Sequence, residues 1–262
     1  MGDTSLFGTR HLVLIAISFA LMVGLFIFSK KLSIKQCAKI LLYVGIISET
    51  IKIFYYINAN ENKIYNEATG AVFGGVLPKS DLPFHLCSIQ ILFILVINLT
   101  TNEKLRRFIF SFMIPSCLFG GIAAILIATN SARSTVIIAI QYFLYHIAIS
   151  VFALRLLTDK EMKWRVGDLL NCFKFLLAIM FFAFYINSIV YDGISNVNFM
   201  YVVGPPQDGL PFLNKDHGWL VYIIHYASLI LICVTLCYMK AIIDTIKEKK
   251  ALKQVETETI LS

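Results

Sequence analysis

Residues 12–29 read LVLIAISFALMVGLFIFS, eighteen positions without a single charge. About 20 apolar residues in helical form match the hydrocarbon thickness of a bilayer. The basic residues Lys30 and Lys31 follow this run rather than precede it, and no small-residue cleavage site closes it. It therefore reads as a membrane span and not as a leader. Working outward, the same pattern recurs, giving seven spans at roughly 12–29, 35–57, 83–100, 107–128, 135–157, 166–191 and 218–244. A short polar tail occupies 245–262, and the stretch after Lys250 is expected to be mobile.

Composition agrees with that reading. Of 262 residues, 58% are apolar and 15% charged, against about 25% charged in an ordinary soluble domain. Mean hydropathy is +0.76. No soluble fold of this size hides so much apolar surface, and disorder requires the opposite balance. The expectation is an all-α polytopic membrane protein, one domain over 1–262, built as a seven-transmembrane-helix bundle.

The net charge of +7 does not point to nucleic acid, because the cations sit between the apolar runs. Segments 30–39, 101–107, 155–165 and the stretch from 240 carry sixteen Lys and Arg, whereas Arg10, Lys63, Lys79, Arg133 and Lys215 are five on the other side. Cytoplasmic loops hold the excess, which places the N-terminus outside and the C-terminus in the cytoplasm. The six cysteines, at 37, 87, 117, 172, 233 and 237, lie in or beside apolar runs and form no CxxC. They read as helix-packing residues rather than a disulfide framework. Two outside loops are long, 58–82 and 192–217. The second contains Gly204, Pro205, Pro206, Gly209 and Pro211, so it is read as an interfacial or partly re-entrant segment packed on protein.

Polar residues within spans are functional-site hypotheses by default. They are Glu49 and Lys52, then His85, Cys87 and Gln90, then Gln141 and His146, Lys174 and Asn187, and finally His225. With the topology above, all except Lys174 fall in the outer half, which suggests a polar cavity opening toward the outer leaflet beneath the two long loops. Each has a structural reading as well. Glu49 and Lys52 are spaced for an intrahelical ion pair. Tyr142 and Tyr222 share faces with His146 and His225 and could satisfy them. Gln90 and Asn187 could join helices. Gly120–Gly121 suits close helix packing.

His85 and Cys87 suggest a thiol–imidazole pair. Pro83 fits a first helical position and Asp81 suits the positive end just before it, so the helix is expected to start at 82–83. Residues two apart on a helix diverge by about 200°, so a Cys87 nucleophile would take His146 as its base. His85 could equally be the active group, with Cys87 inert. No ligand spacing supports a metal or another cofactor, and no phosphate-binding glycine loop is present.

The string Leu82-Pro83-Phe84-His85-Leu86-Cys87 resembles the LPxHLC signature of the YwaF-type bacterial integral membrane proteins. Gln141 through His146 resembles that family's Q-aromatic-x3-H element. Asn187, then Asn198-Phe199-Met200-Tyr201 with Pro205-Pro206, resembles its N…NYMYL..PP element. This family is similar to the eukaryotic transmembrane protein 164 family, associated with phospholipid acyl transfer through a cysteine and a histidine. More distantly it is similar to androgen-induced protein 1-like lipid hydrolases, which use a threonine and a histidine. The resemblance carries the histidine over to His146. It does not carry the nucleophile, because the eukaryotic cysteine directly precedes the third-span histidine, where this chain has Phe84. Phe199 stands where the family usually has tyrosine.

The resemblance implies a lipid-modifying acyltransferase or acyl hydrolase acting on a membrane phospholipid or other acyl lipid. His146, Cys87 and His85 are its catalytic candidates, and Gln90, Gln141, Asn187, Asn198, His225 and Glu49 its substrate-binding candidates. The alternatives are a small-solute or ion transporter and a non-catalytic lipid-binding subunit. The Lys-, Ile- and Asn-rich composition suggests an AT-rich bacterial genome and hence a multi-pass protein of a bacterial plasma membrane.

Overall fold

A computed structural model describes residues 5–58, 63–65, 68–70, 72–129, 132–133, 135–191, 197–206, 210, 212–214 and 216–261. Its helices are α1 (Thr9–Ser29), α2 (Ile34–Asn58), α3 (Leu86–Leu99), α4 (Glu103–Leu126), α5 (Val136–Leu157), α6 (Val166–Val190) and α7 (Trp219–Leu261). The chain is thus an all-helical membrane protein, with one addition. Strands β1 (Lys63–Tyr65) and β2 (Val72–Gly75) pair antiparallel beyond the end of α2. Gly75 is required there, since a Cβ would collide with the Ile57 backbone. Gly209, Pro211 and Lys215 lie outside the described residues.

Six of the helices are long and apolar enough to cross a bilayer, and α3 is not among them. Its 14 residues rise about 21 Å at 1.5 Å each, short of a hydrocarbon core about 30 Å thick. The span expected at 83–100 therefore begins later, at Leu86. The cause is local. Pro83 pushes the residue before it out of the helical region, and Leu82 sits at ψ 148. His85 is still extended, at φ −69 and ψ 152, as the helix N-cap. At the other end of the chain, α7 runs as helix through the polar tail to Leu261.

The centre of the bundle is the α4–α5 pair. Most of each is buried, whereas α1, α2, α6 and α7 turn largely apolar faces outward. The two central helices touch at Gly121, where a Cβ would land on Ser150 Oγ and lie 2.9 Å from the His146 carbonyl. Pro115 interrupts α4 and deprives the Ser111 carbonyl, four residues earlier, of its helical donor. The Tyr238 hydroxyl of α7 donates to that carbonyl at 2.8 Å. This satisfies a group that could not be left open inside a bilayer.

Polar pins fix the two ends. At one end His11 of α1 meets the Ile125 carbonyl of α4 at 3.0 Å. At the other, Arg155 reaches from α5 to the Ser29 and Leu32 carbonyls, both at 3.3 Å. Arg107 of α4 grips both Asp168 carboxylate oxygens of α6, at 2.7 and 2.6 Å. The hairpin and residues 197–206 occupy the first end. The second is the basic end.

Candidate functional site

The late start of α3 creates the site. Tyr145, nine residues into α5, donates its hydroxyl to the Cys87 carbonyl at 2.6 Å. The first turn of α3 thus packs against α5 inside the bundle rather than at the start of α5. The chain before it reaches that level through a short 3-10 turn, Lys79–Asp81, and the non-helical residues 82–85. Such backbone is tolerated at that depth only against protein or a cavity, and its groups are answered: the Ser80 carbonyl lies 3.0 Å from His85 Nε2. Beside this non-helical stretch a cavity of about 320 Å³ remains among α2, α3, α4, α5, α7 and the 200–206 segment.

Its polar lining has two parts. Glu49, Lys52, Asp81, His85 and Ser88 form one. Lys52 Nζ pairs with Glu49 at 2.8 Å, and Ser88 Oγ donates to the same carboxylate at 3.0 Å. Burial pushes the Asp81 carboxyl above its usual range, against the pull of Lys52. The ion pair anticipated between Glu49 and Lys52 is present, and it lines the cavity as well.

The other part holds Cys87, Gln141, Tyr142, Tyr145 and His146, set among apolar side chains including Ala123, Ile138, Ile149 and Leu229. Gln141 Nε2 donates to Ser48 Oγ of α2 at 2.6 Å. His146 is buried, and its Nδ1 lies 2.7 Å from the Tyr142 carbonyl. A carbonyl only accepts, so Nδ1 carries the proton and Nε2 presents a lone pair. No described residue hydrogen-bonds Nε2. It is therefore the backbone of Tyr142, not its hydroxyl, that satisfies this histidine; the hydroxyl donates to the Ala124 carbonyl at 3.1 Å.

His85 and Cys87 both line this cavity. The expectation that they diverge is overturned, because it assumed a helix over both and His85 precedes the helix. His85 Nε2 is the donor to Ser80, which leaves Nδ1 as the acceptor, and its ring lies 5.1 Å from that of Phe199.

The roof is a strained turn. Met200 and Tyr201 have φ values of 56 and 54, in the left-handed region that costs a non-glycine residue about 1–3 kcal/mol. Three clamps hold it. Tyr226 donates to the Met200 carbonyl at 2.9 Å, and Tyr222 to the Tyr201 carbonyl at 2.5 Å. Asn187 accepts from the Phe199 amide at 2.8 Å and donates to its carbonyl at 3.0 Å. Burial pushes the Tyr201 phenol upward. Phe199 is fully buried.

Four sequence candidates stand apart from the lining. Asn187 is a clamp. Asn198 closes its own turn, donating to the Gly204 carbonyl at 2.8 Å and accepting from the Val203 amide at 3.1 Å. Gln90 is buried and donates to Ser116 Oγ at 3.0 Å; it is Ser116 that borders the cavity. His225 is exposed on the outer surface of α7, so the expected five-helix convergence does not include it. Sequence reasoning missed Asp81, Ser88, Tyr145 and Tyr201 as lining residues. The sequence signals were adjacency for Ser88 and Tyr145, next to Cys87 and His146, and membership of the N…PP string for Tyr201.

Scanned against protein families, residues 6–238 match the TMEM164 family. The chain belongs to the TMEM164 family. The match runs from the start of α1 into α7, so it takes in every element that lines the cavity. It agrees with the resemblance carried by the LPxHLC, Q-aromatic-x3-H and N…PP strings. In this TMEM164-family chain the three strings supply respectively the lead into α3, the central histidine and the clamped roof. Neither a search of curated proteins nor one of solved structures finds a match.

Proposed function

We propose that this TMEM164-family protein handles acyl lipids enzymatically, as an acyltransferase or acyl hydrolase whose active centre is the cavity beneath the roof. The observation that carries the reading is His146. Its ring is fixed by the Tyr142 carbonyl, it presents Nε2 as a base, and it shares a mostly apolar cavity with the Cys87 thiol. An imidazole base and a thiol facing one cavity are the groups nucleophilic acyl chemistry needs, and apolar walls suit an acyl chain.

In the proposed reaction Cys87 gives its proton to His146 Nε2 and its sulfur attacks the ester carbonyl carbon. The ester C–O bond breaks, and the departing lipid alkoxide takes the proton from His146. The thioester left on Cys87 is then attacked by a second lipid hydroxyl or by water. That nucleophile loses its proton to His146, and the departing thiolate recovers it. Gln141 and Glu49 would orient the substrate. On the same reading the basic end faces the cytoplasm of a bacterial plasma membrane and the cavity admits lipid from the outer leaflet.

The test is protein in lipid nanodiscs supplied with mixed phospholipids, following lipid products and intact-protein mass. An acyl adduct on the wild type, lost in Cys87→Ser, with turnover lost in His146→Ala, is the expected result. Turnover without an adduct that survives Cys87→Ser would remove the thiol from the mechanism and leave a hydrolase using water. Absence of both product and adduct refutes the enzyme reading and favours transport or lipid binding.

A further inference from the structure

The basic end carries a second cleft, of about 540 Å³, between the N-terminal turns of α4 and α6. Its charged residues are Arg107, Arg165, Lys174 and Asp168, with Asn171 beside them. Asp168 is already engaged, held at both carboxylate oxygens by Arg107 and capped by the Arg165 amide at 2.8 Å. Neither the Arg165 guanidinium nor the Lys174 ammonium is paired with a carboxylate among the described residues. Three cations against one carboxylate leave the cleft with two positive charges. A Cβ on Gly167 would meet open space, so nothing crowds its floor.

Lys174 makes the position unusual. It lies eight residues past Val166, about 12 Å along the helix. It shares an exposed strip with Leu170, Leu177 and Phe181. An ammonium on a lipid-facing strip reaches back to the interface, and here it reaches into a cleft that already holds two guanidinium groups. Basic pockets between helices at this level suit anionic headgroups.

We propose that this cleft binds the phosphate of an anionic phospholipid. Arg165 and Lys174 are its cationic contacts, Asn171 donates a hydrogen bond, and the acyl chains run along the strip of Leu170, Leu177 and Phe181. The site is separate from the cavity and does not depend on the acyl-transfer reading. It places an anionic lipid at the junction of α4 and α6, where it would hold the Arg107–Asp168 pin against water.

The test titrates the full chain in detergent micelles with phosphatidylglycerol, phosphatidylcholine and inorganic phosphate, read by native mass spectrometry. Phosphatidylglycerol should bind in preference to phosphatidylcholine. Removing one charge, in Arg165→Gln or Lys174→Gln, should weaken it roughly fivefold, and removing both roughly thirtyfold. Lys174→Arg keeps the charge and should bind as wild type, which separates charge from any fault in folding. Equal binding of phosphatidylglycerol by wild type and the double variant overturns the proposal. So does an absence of preference over phosphatidylcholine. Displacement of the lipid by an equal concentration of inorganic phosphate would make the site one for free phosphate and end the lipid assignment.

Discussion

Asn187→Ala should loosen the roof of the cavity without touching its lining. The side chain makes three hydrogen bonds, to the Phe199 amide at 2.8 Å, the Phe199 carbonyl at 3.0 Å and the Ala183 carbonyl at 2.7 Å. The Ala183 carbonyl keeps its place in the α6 ladder. Both main-chain groups of Phe199, a fully buried residue, are left without partners. A stranded buried group costs about 1–3 kcal/mol, and hydrogen bonds inside membranes average nearer 0.6. About 1 kcal/mol for each group gives about 2 kcal/mol, which is about thirtyfold in the opening equilibrium of the segment. Hydrogen exchange reads this directly at the Val203 amide, which Asn198 and not Asn187 holds. Exchange there should quicken about thirtyfold. Asn187→Asp keeps the acceptor for the Phe199 amide and loses only the donor, so it should fall between. Val203 exchange within twofold of wild type in Asn187→Ala would refute the clamp and the argument that it stabilises the left-handed pair Met200 and Tyr201.

Gly121→Ala should destabilise the protein by about 1–3 kcal/mol in thermal unfolding, because the new methyl would collide with Ser150 Oγ and crowd the His146 carbonyl; any lipid turnover should fall with it. Asp159 lies between α5 and α6. Burial raises its carboxyl, but the Glu161 amide, Arg155 and the Met162 amide outweigh that and hold it below the usual carboxylate range. Its stabilisation is therefore fully present above the ordinary carboxyl value, about 3.9, and is lost as pH falls through the lower folded value. Asp159→Asn should flatten that acid limb in unfolding measured from pH 7 to 2. His225→Ala, on the exposed face of α7, should leave lipid turnover and stability as they are in wild type. A tenfold loss of turnover would return His225 to the site.

What the sequence determined by itself is the solvent the chain lives in and the apolar helices that make up the fold. Runs of about 20 apolar residues leave no other way to satisfy the backbone than helices in a bilayer. Their polar interruptions named Glu49, His85, Cys87, Gln141 and His146, all of which line one cavity. The motif strings marked the lead into α3, the central histidine and the roof. Sequence could not decide where α3 begins, because apolarity continues through Pro83 and Phe84, while the break depends on Leu82 being extended before proline. Nor could it tell which polar residues face inward. Asn187 and His225 look alike as polar positions in apolar helices, yet one clamps a buried turn and the other faces outward. Tertiary structure decided that, through the packing of α6 and α7 on residues 199–201 and the late start of α3 beside the cavity that His146 lines.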